Sequence, residues 1–319
     1  MTAPSLGVCF DRTYPPSAIG EFSERLEAGG LDQLWVIEDC FYTAGISLAA
    51  TALARTDRLQ VGLGILPAVA RNPAITAMEL ATLANLAPGR LLAGIGHGVQ
   101  SWMAQMGAVT LSPLTTLEEV LVVVRRLLHG ERVTYAGREV QMREVQLDQP
   151  PAIVPPLLAG VRGPRSLALA GRVADGVVLA EAAGPAYVAH AVRTAAPAGD
   201  FHVSVFTALC IETERRAAYT VMAPLVAGWL SASNPAIDAH PHVDELRERF
   251  RTGGNQALVD MPREWWLELG AIGTFDDALE HITMLHAAGA ADVSVFPAPE
   301  LEVARAQLDD AIGLAAALG

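Results

Sequence analysis

Three neighbouring segments decide the fold: Arg58-Leu-Gln-Val-Gly-Leu-Gly-Ile-Leu-Pro67, Asn72-Pro-Ala-Ile-Thr-Ala-Met78 onward, and Gly89-Arg-Leu-Leu-Ala-Gly-Ile-Gly-His-Gly98. The first is a short apolar run rich in branched residues and closed by proline, the pattern of a strand buried on both faces. Such a strand needs helices over it. Asn72 is a good N-cap and Pro73 suits the first helical position, where a missing N–H costs nothing. Ile75, Met78, Ala81, Thr82 and Leu86 then recur at helical spacing until Pro88-Gly89, which predicts an amphipathic crossover helix buried along that stripe. Arg90 to Gly96 is a second buried strand. Its exit, Gly96-His97-Gly98, is nearly bare of side chains, so a flat or anionic group can approach the backbone.

The same alternation runs outward in both directions. Strands are expected at Leu6–Phe10 and Gln33–Ile37 on one side, and at Leu157–Gly160, Ala174–Ala180, Phe201–Ile211 and Asp292–Phe296 on the other. Helices separate them: Pro15–Ala28, Gly45–Arg55, a helix capped by Thr115 or Thr116 and running to Leu128, one opening at Val161-Arg162-Gly163-Pro164, and one from Pro185. Thr213–Arg251 reads as helical with a break at Ser233-Asn234-Pro235, and Phe275–Ala288 and Pro299–Leu318 follow. Trp102, Met103 and Met106 fall in a loop, and Arg132–Leu147 is a hairpin inserted before the fifth buried strand. Eight buried strands alternating with helices over 319 residues predict one (β/α)8 TIM barrel spanning 1–319, rather than two doubly wound domains.

Composition narrows the chemistry. The chain is 51% hydrophobic and 18% charged with a net charge of −13, and no basic run interrupts it, which argues against nucleic acid or an anionic membrane as partner. Cys9, Cys40 and Cys210 are scattered and odd in number, so neither a disulfide framework nor a CxxC metal site is expected. No leader pattern is read at Met1–Ser5, and no apolar run approaches the roughly 18 residues of a membrane span. A reducing cytoplasm is the expected setting.

In a barrel of this kind, chemistry gathers at the carboxyl ends of the strands. That selects Phe10 and Asp11, Glu38 to Tyr42, Gly64 to Pro67, Gly96 to Trp102, Gly160 to Gly163, Ala180 and Glu181, and Pro297. Most have an ordinary structural reading as well: Glu38 and Asp39 as caps of the next segment, His97 as a core histidine, Cys40 as a small buried hydrophobe. Gly94-x-Gly96-x-Gly98 lacks the third glycine of a dinucleotide fingerprint and follows a fourth strand. His240-Pro-His242 reads as a solvated loop, Trp265-Trp266 as packing, and Asp175-Gly176 as a turn.

Four motifs in order give the chain a resemblance to the bacterial luciferase-like monooxygenase superfamily. They are Leu34-Trp-Val-Ile-Glu-Asp39, Val61-Gly-Leu-Gly-Ile-Leu66 with Arg71-Asn-Pro73, Gly89-Arg-Leu-Leu-Ala-Gly-Ile-Gly96, and Ala170-Gly-Arg-Val-Ala-Asp-Gly-Val-Val-Leu179. The resemblance is to the deazaflavin branch, which includes methylenetetrahydromethanopterin reductases. It implies coenzyme F420 as cofactor, FMN being the alternative, and hydride transfer to or from a small organic substrate. Gly64-Ile65 then matches a cis peptide supporting the ring, His97 and Gly98 match residues beside the ring, and Gly160, Val161, Arg162 and Gly163 match the turn that holds the cofactor phosphate. Asp39 matches the carboxylate at the reacting edge, where Cys40 replaces the histidine usual in that branch. With that histidine missing, Glu38, Asp39 and His97 are the candidates for moving a proton. The resemblance further implies a homodimer and, for the FMN alternative, a separate reductase. A non-catalytic flavin-binding relative is the third reading.

Overall fold

The computed structural model describes residues 5–319, so all but the last residue of the Met1–Ser5 reading lies outside the described residues. β1 (Ser5–Phe10), α1 (Ile19–Ala28), β2 (Gln33–Ile37), α2 (Gly45–Arg55), β3 (Gln60–Pro67), α3 (Pro73–Leu86) and β4 (Leu91–Gly96) form the first half. α4 (Gln100–Gln105) and α5 (Pro113–Leu128) precede a two-stranded hairpin, β5 (Val133–Ala136) and β6 (Gln141–Val145). β7 (Leu157–Gly160), α6 (Pro164–Val173), β8 (Gly176–Leu179), α7 (Pro185–Ala195) and β9 (His202–Ile211) continue the alternation. α8 (Arg215–Ser231), α9 (Pro235–Asp238), α10 (Val243–Val259) and α11 (Arg263–Trp266) form a helical excursion. β10 (Ala271–Gly273), α12 (Phe275–Ala287), β11 (Asp292–Phe296) and α13 (Leu301–Leu318) finish the chain.

Eight strands, in the order β1-β2-β3-β4-β7-β8-β9-β11, pair in parallel and close on themselves where β11 meets β1. This is the (β/α)8 barrel expected from the alternation. β10 is an addition that the sequence did not announce: only three residues long, it pairs with Leu209–Ile211 at the far end of the ten-residue β9. The barrel interior holds Cys9, Trp35, Ile37, Leu92, Leu158, Val178 and Phe206. Room for the Trp35 indole comes from Gly62, where a side chain would meet the indole at 2.2 Å.

Several helices depart from the reading in their details. The Asn72 side chain does accept the Ala74 N–H at 2.9 Å, with Pro73 in the first turn. The buried stripe of α3, however, is Thr76, Ala77, Leu80, Ala81, Leu83 and Ala84, while Ile75, Met78 and Leu86 face outward at 47%, 51% and 68% exposure. A helix this apolar offers two faces with helical spacing, and the one with small residues packs closest to the sheet. α5 begins at Pro113 with Ser112 as its cap, not Thr115 or Thr116. Glu119 thereby falls on a buried face and accepts the N–H groups of Arg138, Glu139 and Val140, tying the hairpin turn to the barrel. The Trp102 loop is the short helix α4, and the segment up to Ala28 starts with a 3-10 turn at Pro16–Ala18. The long helical stretch divides into α8, α9 and α10, and α10 runs on to Val259 through Gly254, whose φ of +57° bends it.

Candidate functional site

A cavity of about 690 Å³ opens at the carboxyl ends of the barrel strands, a size suited to a cofactor-scale ligand. Its lining brings together Glu38, Asp39, Gly64, Ile65, His97, Gly98, Gly160, Val161, Arg162 and Gly163, the residues to which the resemblance gives roles, whereas Phe10, Tyr42 and Pro297 of the strand-end selection do not line it.

The shelf within the cavity is built at Ile65. The Gly64–Ile65 peptide is cis, as are Cys40–Phe41 and Glu181–Ala182, and the β3–β4 register shifts between Leu63 and Leu66. Ile65 is thereby laid across its neighbours. A Cβ on Gly94, Gly96 or Gly160 would come within 3.0, 2.5 and 2.6 Å of the Ile65 side chain. The bare exit of β4 is thus occupied by Ile65, whose close approach requires glycine at 96 and 160, whereas at Gly94 the nearer obstacle is the Leu63 carbonyl at 2.2 Å. Behind Gly64 stand Trp35 and Phe206, edge to face at 5.0 Å, and Phe206 meets Phe296 in the same way at 5.8 Å.

On the β7 side, the backbone turns through Val161, Arg162 and Gly163 into α6, and no side chain caps that helix. Its first N–H groups are therefore free for an anion, Gly163 leaves open space in front of them, and the Tyr187 hydroxyl fixes the turn by donating to the Arg162 carbonyl at 2.6 Å. Arg162 makes no ion pair among the described residues. The chain contains no lysine. Arg12 and Arg162 are accordingly the cations that line the cavity, and Arg12 is bound to Asp39.

The carboxylates have distinct surroundings. Both Glu38 oxygens are taken: Arg71 donates to Oε1 at 2.8 and 3.1 Å and to Oε2 at 2.9 Å, and the Gly45 N–H at the start of α2 donates to Oε2 at 2.7 Å. Arg71 also holds Glu79 at 2.6 Å. Asp39 accepts from Arg12, whose guanidinium lies 4.8 Å over the Tyr42 ring. Asp11 accepts the Thr13 N–H at 2.8 Å and its hydroxyl at 2.6 Å.

His97 has both ring nitrogens engaged, Nδ1 with the Pro113 carbonyl at 3.2 Å and Nε2 with the Ser166 hydroxyl at 2.9 Å. A carbonyl only accepts, so Nδ1 carries the proton and Nε2 accepts from Ser166. Burial pushes this imidazole below its usual range, which keeps it neutral. The Cys40 thiol is pushed up by burial and then by Glu38 and Asp39, so it stays protonated and is no nucleophile. His240 spends its nitrogens on the Trp265 carbonyl and the His242 N–H. Among the described residues no His, Cys, Asp or Glu cluster could hold a metal, and no helix is long and apolar enough to cross a membrane.

Sequence reasoning left out Arg12, Ser166, Phe206 and Phe296. Ser166 had a usable signal, a hydroxyl in the first turn of a helix behind a glycine-bearing loop. Phe206 had none, since a barrel-facing aromatic reads like any core residue.

The luciferase-like monooxygenase family model matches residues 6–292. The chain belongs to this family. Its sequence is 26% identical to 5,10-methylenetetrahydromethanopterin reductase of Archaeoglobus fulgidus, over 84% of this chain and 85% of that one. It is 28% identical to an F420-dependent glucose-6-phosphate dehydrogenase of Kineococcus radiotolerans, over 52% of each. The chain thus spans about half the length of that dehydrogenase. Among solved structures, the coenzyme F420-dependent tetrahydromethanopterin reductase of Methanopyrus kandleri superposes with a TM-score of 0.78, at 22% identity over 98% of this chain and 97% of that one. That likeness concerns the fold.

Proposed function

We propose that this protein is a coenzyme F420-dependent oxidoreductase that moves a hydride between the deazaflavin and a small organic substrate. The observation that carries this reading is the pairing, in one cavity, of an apolar shelf at Ile65 with an uncapped helix start behind Gly163. A tricyclic ring bearing a phosphate-linked tail needs both. Two curated family members with related sequences act on methylenetetrahydromethanopterin and, with F420, on glucose 6-phosphate, as their names state.

In this reading the α6 N-terminus and Arg162 hold the phosphate, while the Ser166 hydroxyl, its proton given to Nε2 of His97, ties that ring to the helix start. Ile65 supports one face of the ring, with Gly98 beside it and Asp39 at its edge. Bound there, the cofactor supplies or accepts two electrons as a hydride, and the protein positions the reacting partners and excludes water. Glu38, locked by Arg71 and Gly45, acts as a brace for the strand end that carries Asp39. The word monooxygenase in the family description motivates a second reading, oxygen chemistry with FMN in place of F420 and a separate reductase.

Fluorescence quenching with F420 and with FMN, side by side and under nitrogen, decides between them. Tight binding of the deazaflavin alone is the expected result. Preference for FMN, with substrate oxidation that consumes dioxygen in step, would transfer the assignment to the monooxygenase reading.

A further inference from the structure

Four carboxylates line the cavity, and three are already committed. Asp11 is closed on Thr13, Glu38 on Arg71 and Gly45, and Asp39 on Arg12. Glu181 is the exception. It lies two residues beyond β8, beside Val178 and Ala180 on the cavity wall, and no other described residue bonds to its carboxyl group. The residue is half-buried on that wall, and its burial there disfavours the charged form of the carboxyl group.

Resting on the F420 reading above, we propose that Glu181 is the catalytic acid and base: it gives the substrate a proton as the hydride arrives, and takes one back in the reverse direction. For a substrate with a C=O or C=N bond the atoms and electrons balance. The carbon gains a C–H bond from the hydride and its electron pair, the π pair moves onto the heteroatom, and the heteroatom takes the proton from the Glu181 O–H, leaving a carboxylate. Substrate is reduced and reduced deazaflavin oxidised, each by two electrons, and Glu181 recovers its proton from water, to which the cofactor loses one.

The charges facing Glu181 suggest when it is loaded. Burial pushes its carboxyl above the usual range, and Asp39 after β2 and Asp11 after β1 push the same way, while Arg162 after β7 opposes them. Cys9 on β1, itself raised by burial and by Glu181, stays a neutral thiol. Arg162 is also the cation placed to meet the cofactor phosphate. Once its charge is neutralised, the opposing pull on Glu181 weakens, so cofactor binding itself favours the protonated acid.

Two measurements on the whole protein test this without a substrate. The first is an infrared difference spectrum between wild type and Glu181→Gln, each saturated with oxidised F420 at pH 7. A protonated-acid carbonyl band that shifts in D2O and is absent from the variant is expected, and loss of carboxylate bands alone would overturn the proposal. The second is calorimetry of F420 binding in two buffers of different ionisation enthalpy. Proton uptake that disappears in Glu181→Gln supports the coupling, and uptake equal in both proteins overturns it. Failure of wild type to bind F420 at all would remove the underlying reading and this assignment with it. Tight binding without the acid band removes the role of Glu181 alone.

Discussion

Ile65 lies across Gly160, so close that a methyl group on the glycine would stand 2.6 Å from Cγ2 of the isoleucine. The branched side chain has no free end to swing away, and its position sets the height of the shelf. Strand pairing holds the glycine in turn, since Gly160 is in register with Gly96 on β4 and Val178 on β8.

Gly160→Ala is therefore expected to lower stability by about 1–3 kcal/mol, the usual penalty of overpacking, and to weaken F420 binding at least tenfold, or about 1.4 kcal/mol. Gly163→Ala is the control for stability alone, since its methyl would stand in the phosphate cradle. Its position has open space and an extended backbone at φ −82°, so the fold should tolerate it. Urea titration of both variants and fluorescence binding of Gly160→Ala check this. Equal affinity of Gly160→Ala and wild type would mean that Ile65 is not the ring's support.

How much of this was legible in the sequence depended on whether one spacing had one meaning. β3 and β4 were readable because short doubly buried strands closed by proline or glycine have few alternatives. α3 was readable as an element, but its inner face was not: Ile75, Met78 and Leu86 are spaced like the alanine-rich face that actually packs. The glycines of the β4 exit were visible as a gap, and their reason was hidden because Ile65 reaches them only through the bulge in β3. At the site, strand ends located the cavity, but they took in Phe10, Tyr42 and Pro297, which do not line it, and missed Arg12, Ser166, Phe206 and Phe296, which do. What they could not assign was partnership, since Arg71 lies 33 residues from Glu38 and Ser166 lies 69 from His97.

The Glu38–Arg71 pair should behave as structure. The Glu38 side chain is 10% exposed, accepts three bonds from the guanidinium and one from the first N–H of α2, and removing its charge leaves Arg71 half-paired. Glu38→Gln is expected to cost about 2–3 kcal/mol, as charged hydrogen bonds in a mostly buried pair are broken. F420 affinity per folded molecule should then change less than threefold. Thermal melts together with binding stoichiometry measure both quantities, and an unchanged melting point with lost affinity would return Glu38 to the cofactor's side.

Acid stability should be governed in part by His281. This histidine of α12 is fully buried, with Nε2 at 2.9 Å from the Thr207 hydroxyl and Nδ1 at 2.7 Å from the Leu267 carbonyl. Nδ1 donates to the carbonyl, and burial keeps the ring neutral when folded by holding its pKa down to about 4 against an unfolded value near 6.5. A folded pKa below the unfolded one stabilises fully above about pH 6.5, and that stabilisation is lost as pH falls toward 4, because the unfolded chain takes up the proton first. The loss for this one residue is about 3 kcal/mol across that window. His97 and His240 are displaced in the same direction, so wild type alone does not isolate the effect. His281→Asn keeps a donor for the Leu267 carbonyl and removes the titration. Urea unfolding at intervals from pH 7 to pH 4 should give a shallower decline for the variant than for wild type, whatever its stability at neutral pH. Parallel curves would show that the ring is already charged in the fold, contrary to the neutral state its burial imposes.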